Sequence, residues 1–356
     1  MKVSLKAVVL LLATSGAMAA IHSHEYNGSY EGGNLDKVAF PIGGIGAGMF
    51  CLEGTGAISH MSVRNTMEFF NEPTLFPAIY VNDGRNSTAK VLEGPVPDWK
   101  IFGPSGTSNG SAEKPYGLPR FDHASFKARF PFGIVSLSDK DVPLDVTITG
   151  WSPFSPGNAD DSSLPVGALE YKFTNTSSKQ LESIFSFNTA NFISLKTGAD
   201  RIVSTDNGFI LTQAASVGTP EQESDFAITT DDNNTIVDHC WFRGDWWDQY
   251  TTTWKSIESG RLVNNPPKEV SAPGASLFVP FKLAPGESKT ITVMLSWYTP
   301  NTTLKIGGAA RETPAFTDTP PDGSAIGQLA VTGFDGKGLI NTFAPSGDDQ
   351  TGTLTS

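Results

Sequence analysis

Alternation with a period of two dominates this chain. In "HASFKARFPF", Ala124, Phe126, Ala128, Phe130 and Phe132 fall on one side of an extended strand, with Ser125, Lys127 and Arg129 on the other. "VPLDVTI" alternates Val142, Leu144, Val146 and Ile148, and "TITVMLSW" alternates Ile291, Val293, Leu295 and Trp297. Successive side chains of a strand point to opposite faces, so each run predicts a half-buried strand. Turn-forming clusters separate the runs: Ser138 to Asp141, "SPGNADDSS" from Ser155, "NTSSKQ" from Asn175, "TDNG" from Thr205 and "LAPGES" from Leu283. The last, a Pro-Gly pair between two strand patterns, predicts a tight hairpin-like turn. No helical pattern of about a dozen residues follows the N-terminal segment, and "RNTMEFF" offers one helical turn. The expected fold is all-β: a large antiparallel β-sandwich, supersandwich-like, over residues 26–300.

The two ends break the pattern. Lys2 and Lys6, the apolar run Ala7 to Ala13 and the A-x-A site Ala17 to Ala19 form a signal peptide over residues 1–20, cleaved near Ala19-Ala20. The expectation is a secreted or periplasmic protein without an integral membrane segment, since that run is too short to span a bilayer. After Pro300, residues 301–328 are Gly/Pro/Thr-rich without alternation and read as a linker. Residues 329–356 resume a β-like pattern that stops in mid-course, the expected mark of an incomplete second β module on a C-terminally truncated chain.

Composition narrows the chemistry. The 356 residues suffice for a sizeable core, and the net charge of -12 argues against nucleic acid, whose phosphates would be repelled. The five histidines show no metal-ligand spacing, so no metal and no cofactor is expected. Cys51 and Cys240 either bridge as a disulfide or stay buried as thiols; sequence leaves both open. Six N-x-S/T sequons, at Asn27, Asn86, Asn109, Asn175, Asn233 and Asn301, read either as glycan acceptors or as the by-product of a Ser/Thr/Asn-rich composition. The second reading is the expectation.

The densest local signal is "PIGGIGAG", Pro41 to Gly48. Gly44, Gly46 and Gly48 give G-x-G-x-G, not the G-x-G-x-x-G and following helix of a dinucleotide loop, and the G-K-S/T of a phosphate loop is missing. The expected role is therefore structural, a strand lying tightly against a neighbouring layer.

Around those glycines the chain resembles a known family. "FPIGGIGAG" followed by "GAISHMSVRNTMEFFNEP", then "GWSPFSPGNADDSSLPVGALEYKFTNTSSKQLESIFSFNTANF" from Gly150 to Phe192, then "LAPGESKTITVMLSWYTPN", occur in the order seen in the N-terminal domain of glycoside hydrolase family 116. This is the non-lysosomal glucosylceramidase and β-glucosidase family, and the resemblance covers about residues 40–301. It implies a sandwich packed on an (α/α)6 barrel, which carries a Glu nucleophile and an Asp acid/base for retaining hydrolysis of β-linked glycosides. No residue here matches those two, so no catalytic residue is expected in this chain. The tail "GKGLINTFAPSGDDQTGTLTS" instead resembles the opening of a jelly-roll, carbohydrate-binding-like module.

Four side chains remain as candidates for substrate contact. Trp246 and Trp247 lie in "WFRGDWWDQYTTTW", which holds four of the seven tryptophans. Such rings stack on sugars or pack in a core or interdomain contact. Arg64 and Glu68 form either a substrate contact or a local salt bridge, the second being expected. A free-standing secreted carbohydrate-binding or structural sandwich is the rival to the glycosidase reading, and it rests on the tryptophans.

Overall fold

The computed structural model describes residues 25–64, 68, 71–102, 114–242 and 249–303, with backbone alone for two short strands near the C-terminus. The signal-peptide reading over 1–20 and most of the linker reading over 301–328 lie outside the described residues. Strands and helices are numbered in chain order.

The alternating segments pair into one nine-stranded antiparallel sheet. Its order is β1 (Tyr30–Glu31), β7 (His123–Arg129), β8 (Phe132–Ser138), β9 (Leu144–Trp151), β10 (Val166–Asn175), β17 (Ser288–Tyr298), β14 (Ser224–Thr230), β13 (Gly208–Gln213) and β12 (Asp200–Thr205). A five-stranded sheet runs β15 (Ile236–Asp238), β16 (Gly274–Leu283), β11 (Leu181–Ala190), β5 (Leu75–Asn82) and β6 (Ser87–Val91). A three-stranded sheet joins β2 (Ala39–Ile42), β3 (Met49–Glu53) and β4 (Ile58–Ser62). β18 (Thr342–Ser346) and β19 (Thr351–Thr355) form a separate antiparallel hairpin.

The inward-facing rows of the large sheet meet both smaller sheets in one core. Val146, Ile148, Tyr171, Phe173, Ile291, Val293 and Leu295 are buried with Phe185, Phe187, Leu277 and Val279 of the five-stranded sheet and Phe50 and Leu52 of the three-stranded one. The Tyr171 and Phe185 rings approach to 4.8 Å between centroids, which places β11 over β10. Ile42 and Phe50 pack onto Gly167, and Phe40 onto Gly133, which places the three-stranded sheet over β8 to β10. The all-β sandwich read from the alternation is the observed architecture.

The five-stranded sheet is buried on both faces, and this explains why its strands do not alternate. "LFPAIYVN" of β5 is buried at its first five positions. The outward side chains Phe76, Ala78, Val91 and Phe278 are covered by Trp254 and Ile257 of helix α3 (Gln249–Glu258). Tyr250, Trp254 and Ile257 follow the i, i+4, i+7 spacing of one helix face, so the "WDQYTTTW" cluster hides a short amphipathic helix. Two further helices are single turns, α1 (Asp98–Phe102) and α2 (Ala159–Ser162). Among the described residues no helix is long and apolar enough to cross a membrane.

The run "HASFKARFPF" is not one strand. Phe130 and Pro131 turn the chain between β7 and β8, so Phe130 is 65 % exposed and Phe132 lies on the outward face. Turn chemistry overrode the alternation there, since the pairing of Arg129 with Phe132 leaves two residues to reverse the chain.

The tight turn read from sequence after Leu283 is present but closes no hairpin, because the strands it joins belong to different sheets. β16 and β17 are joined across "APGE", with Gly286 at φ +74°, a conformation that favours glycine. Asn175 is 1 % exposed, and its Nδ2 donates to the carbonyls of Lys179, Leu283 and Ala284. It fastens two turns together and is not available as a glycan acceptor. Tight turns gather at this end of the sandwich, while the opposite end carries the longer connections 43–48, 152–165, 191–199 and 239–273.

Truncating Trp254 would uncover the outer face of β5 and β6. Trp254→Ala is expected to lower unfolding stability by about 3 kcal/mol. Urea denaturation of the two proteins reads the difference.

Candidate functional site: a glycine-lined cleft at the loop end

The glycines do not form a strand. Gly43 to Gly48 is the connection between β2 and β3, and the expectation of a strand pressed on a neighbouring layer holds only for the close approach. A Cβ on Gly44 would lie 2.2 Å from the Leu164 carbonyl oxygen, and Gly48 at φ +94° would set one 2.7 Å from the Ser62 carbonyl oxygen. Backbone, not a flexible side chain, occupies both places. Three hydrogen bonds fasten this connection: Gly43 N–H to Ser152 Oγ at 3.1 Å, Ile45 N–H to the Ser162 carbonyl at 2.8 Å, and Trp297 Nε1–H to the Ala47 carbonyl at 2.6 Å.

Beside this connection lies a cleft of about 510 Å³. Its other wall comes from the 152–165 connection and from the β7–β8 turn, where Phe130 and Phe154 meet edge to face at 5.0 Å. Ile45, Phe130 and Phe154 stand exposed at its rim. Ser62, Ser152 and Ser162 supply the hydroxyls of its lining. Each already has a partner: Ser62 Oγ accepts from Glu68 N–H, Ser152 Oγ from Gly43 N–H, and Ser162 Oγ–H donates to backbone carbonyls. Among the described residues no ionisable side chain lines the cleft, and those residues offer apolar and aromatic surface with serine hydroxyls.

Of the four candidates from sequence, the structure places two next to this cleft and leaves two outside the described residues. Trp246 and Trp247 are the latter. Their neighbours Trp241 and Trp254 are buried, and Trp241 donates through Nε1 to Ser276 Oγ at 2.8 Å. Arg64 and Glu68 follow Ser62 but do not form the expected salt bridge. Arg64 Nη2 donates to the Ile193 carbonyl, and Glu68 Oε2 accepts from Asn71 Nδ2 at 2.9 Å. Burial lowers the Arg64 guanidinium, with Glu68 partly offsetting it. Both side chains position connections at the loop end.

The carboxylates nearest to an acid/base pair are elsewhere and enclosed. Lys100 of α1, its side chain 3 % exposed, donates to Glu53 Oε1 at 2.8 Å and also to Glu72 Oε1. Burial by itself would lower the Lys100 ammonium, but Glu53 and Glu72 outweigh it and hold it above its usual value. Arg120 Nε donates to Glu93 Oε2 at 2.9 Å, and burial raises the Glu93 carboxyl against that pairing. The Lys100 pair ties α1 to Glu53 of β3, and the Arg120 pair ties residues 93 and 120 to each other. Truncating one member would strand a buried charge.

Of the two readings left open by the sequence, the structure shows buried thiols: Cys51 and Cys240 are not joined by a disulfide. Cys51 sits in β3 of the three-stranded sheet, whereas Cys240 follows β15 on the five-stranded one. Burial, then the charge of Glu53, pushes the Cys51 thiol up to about 12, which keeps it protonated and inert.

One carboxyl at this end titrates near neutrality. Asp225, across from Tyr298 in the β14–β17 pairing, is raised to about 6 by burial and then by Glu223. A carboxyl that holds its proton more tightly folded than unfolded stabilises the fold at low pH, and this contribution fades as pH rises through about 6. Asp225→Asn is therefore expected to be more stable than the parent at pH 8 and to lose that advantage by about pH 4. Thermal melts across that range measure it. Gly44→Ala, which forces the 43–48 connection off Leu164, is expected to cost roughly 1–3 kcal/mol, read from denaturant midpoints.

Comparison with known proteins agrees with the sequence. The model of the family described as "beta-glucosidase 2, glycosyl-hydrolase family 116 N-term" matches residues 39–323, reaching past Pro300 into the segment read as a linker. A search of curated proteins finds no match. Among solved structures, a polysaccharide lyase is 11% identical with a TM-score of 0.31, covering 75% of this chain and 34% of its own. A chain described as a kojibiose phosphorylase from human microbiome is 7% identical with a TM-score of 0.30, covering 76% of this chain and 25% of its own. The present chain thus spans about a third and a quarter of those two chains' lengths.

Proposed function

The chain belongs to the family of N-terminal domains of glycosyl-hydrolase family 116, and from that premise we propose that it is the non-catalytic part of an exported β-glycosidase. The substrates would be β-glucosides or glucosylceramide-type lipids. Retaining hydrolysis needs one ionised carboxylate to attack the anomeric carbon and one protonated carboxyl to release the aglycone, about 5–5.5 Å apart. Such a pair would belong to an (α/α)6 domain packed on the sandwich.

One observation carries the division of labour. Among the described residues the cleft built from the family's own sequence blocks has no ionisable lining residue, and the carboxylates Glu53, Glu72 and Glu93 are tied up by Lys100 and Arg120. A sandwich so arranged can support and shield a reaction centre but has no exposed acid/base pair in this cleft. Its neutral aromatic rim suits an apolar surface or an uncharged sugar ring equally.

The purified 356-residue chain is expected to show no turnover of aryl β-glucosides. A steady release of aglycone that vanished in Glu53→Gln or Glu72→Gln would show instead that the sandwich has its own catalytic pair.

A further inference from the structure

Asp200 opens β12 at the loop end, its side chain buried with 1 % of the residue exposed. Its Oδ2 accepts from Asn191 Nδ2 at 3.0 Å and from Ser271 Oγ at 2.5 Å. Its Oδ1 is buried and has no hydrogen-bond partner. The same is true of Asn191 Oδ1, the other acceptor of this pair. Reversing the Asn191 amide does not repair this. It would set an oxygen against Asp200 Oδ2 and against the Ala272 carbonyl, to which Nδ2 now donates at 3.3 Å. Two bare oxygens thus flank one hydrogen bond.

Among the described residues no ion pair reaches the carboxylate either; the adjacent Arg201 Nη1 donates instead to the Asp200 main-chain carbonyl at 2.6 Å. The ion pairs among the described residues engage Asp139, Glu53, Glu72, Glu93, Asp83, Glu182 and Asp232, and none involves Asp200. An enclosed carboxylate without a counter-charge is strongly unfavourable, and buried acceptors without donors add to the penalty. A water molecule would supply protons to the bare oxygens but no positive charge.

We propose that Asp200 and Asn191 hold a hard cation through Asp200 Oδ1 and Asn191 Oδ1, with main-chain or water oxygens completing the shell. An all-oxygen set with one carboxylate at the start of β12 and one amide on the 191–199 connection suits calcium. Magnesium demands a near-ideal octahedron, and zinc favours nitrogen and sulfur ligands. No group of three or more His, Cys, Asp or Glu is gathered among the described residues, so a single carboxylate supplies the charge. That places the affinity in the weak range of extracellular calcium modules, about 10⁻⁴–10⁻³ M. The cation would tie the 191–199 connection to Ser271 and Ala272. It would also steady Ile193, whose carbonyl receives Arg64.

The test uses the purified full chain, stripped with EDTA and titrated with calcium chloride up to about 20 mM, well above the expected dissociation constant. Magnesium and sodium chloride at matched ionic strength serve as controls. The melting temperature is expected to rise by about 5 °C with calcium alone, and the rise to vanish in Asp200→Asn. Should that variant fail to fold, Asn191→Asp supplies the second reading. Its added carboxylate should lower the melting temperature in EDTA and enlarge the calcium shift. A parent protein indifferent to calcium, an equal shift with magnesium, or an undiminished shift in Asp200→Asn would overturn the proposal and leave a water molecule in that place.

Discussion

Trp297 is the point at which the layers of this sandwich are fastened together. Its ring is 1 % exposed, lies parallel to Phe226 of the same sheet and meets Phe50 of the three-stranded sheet edge-on at 6.5 Å. Its indole N–H holds the Ala47 carbonyl, and its backbone N–H holds the Pro165 carbonyl. One residue at the end of the central strand β17 therefore sets the height of the glycine connection and of the 152–165 connection. A buried indole needs an acceptor for its N–H, and the glycines allow a carbonyl to reach it without side chains in the way. Those two connections, also bonded to each other through Gly43–Ser152 and Ile45–Ser162, are thus anchored to one residue.

The sandwich is polarised along its strands. One end is closed by short turns, with Asn175 stapling the two crossovers. The other end gathers the long connections, the exposed Ile45, Phe130 and Phe154, and the shifted carboxyl of Asp225. Function in such folds concentrates where connections are long, because a rigid scaffold can position them without specifying their sequence. In a chain with a net charge of -12, the described lining of this cleft is uncharged. The buried ion pairs of Lys100 and Arg120 serve a different purpose. Lys100 holds α1 onto β3 through Glu53 and Arg120 ties back to Glu93, so each charge depends on its partner's presence.

Legibility differed between the faces of the sheets. The nine-stranded sheet is buried on one face, so Leu144, Val146 and Ile148, or Ile291, Val293 and Leu295, announce themselves by alternation. β5 and β16 carry apolar residues on both faces because α3 covers the second one, and a continuous apolar run has no period to read. The spacing of Tyr250, Trp254 and Ile257 was the available signal for that helix, obscured by the surrounding tryptophans. Phe130 shows the opposite error: alternation continued through a turn, because periodicity does not register where the chain reverses.

Sequence alone determined the fold class, the family resemblance and the absence of a nucleotide loop, since all of these depend on local pattern and motif chemistry. It also set the glycines where close backbone approach would be needed. Only the tertiary structure decided that those glycines form a connection, that Cys51 and Cys240 stay apart, and that Arg64 reaches Ile193 rather than Glu68. It alone brought Asn191, Asp200 and Ser271 together with two oxygens left bare. Each of these outcomes depends on which distant segments share a layer, and strand pairing across long stretches of chain leaves no trace in any short window of residues.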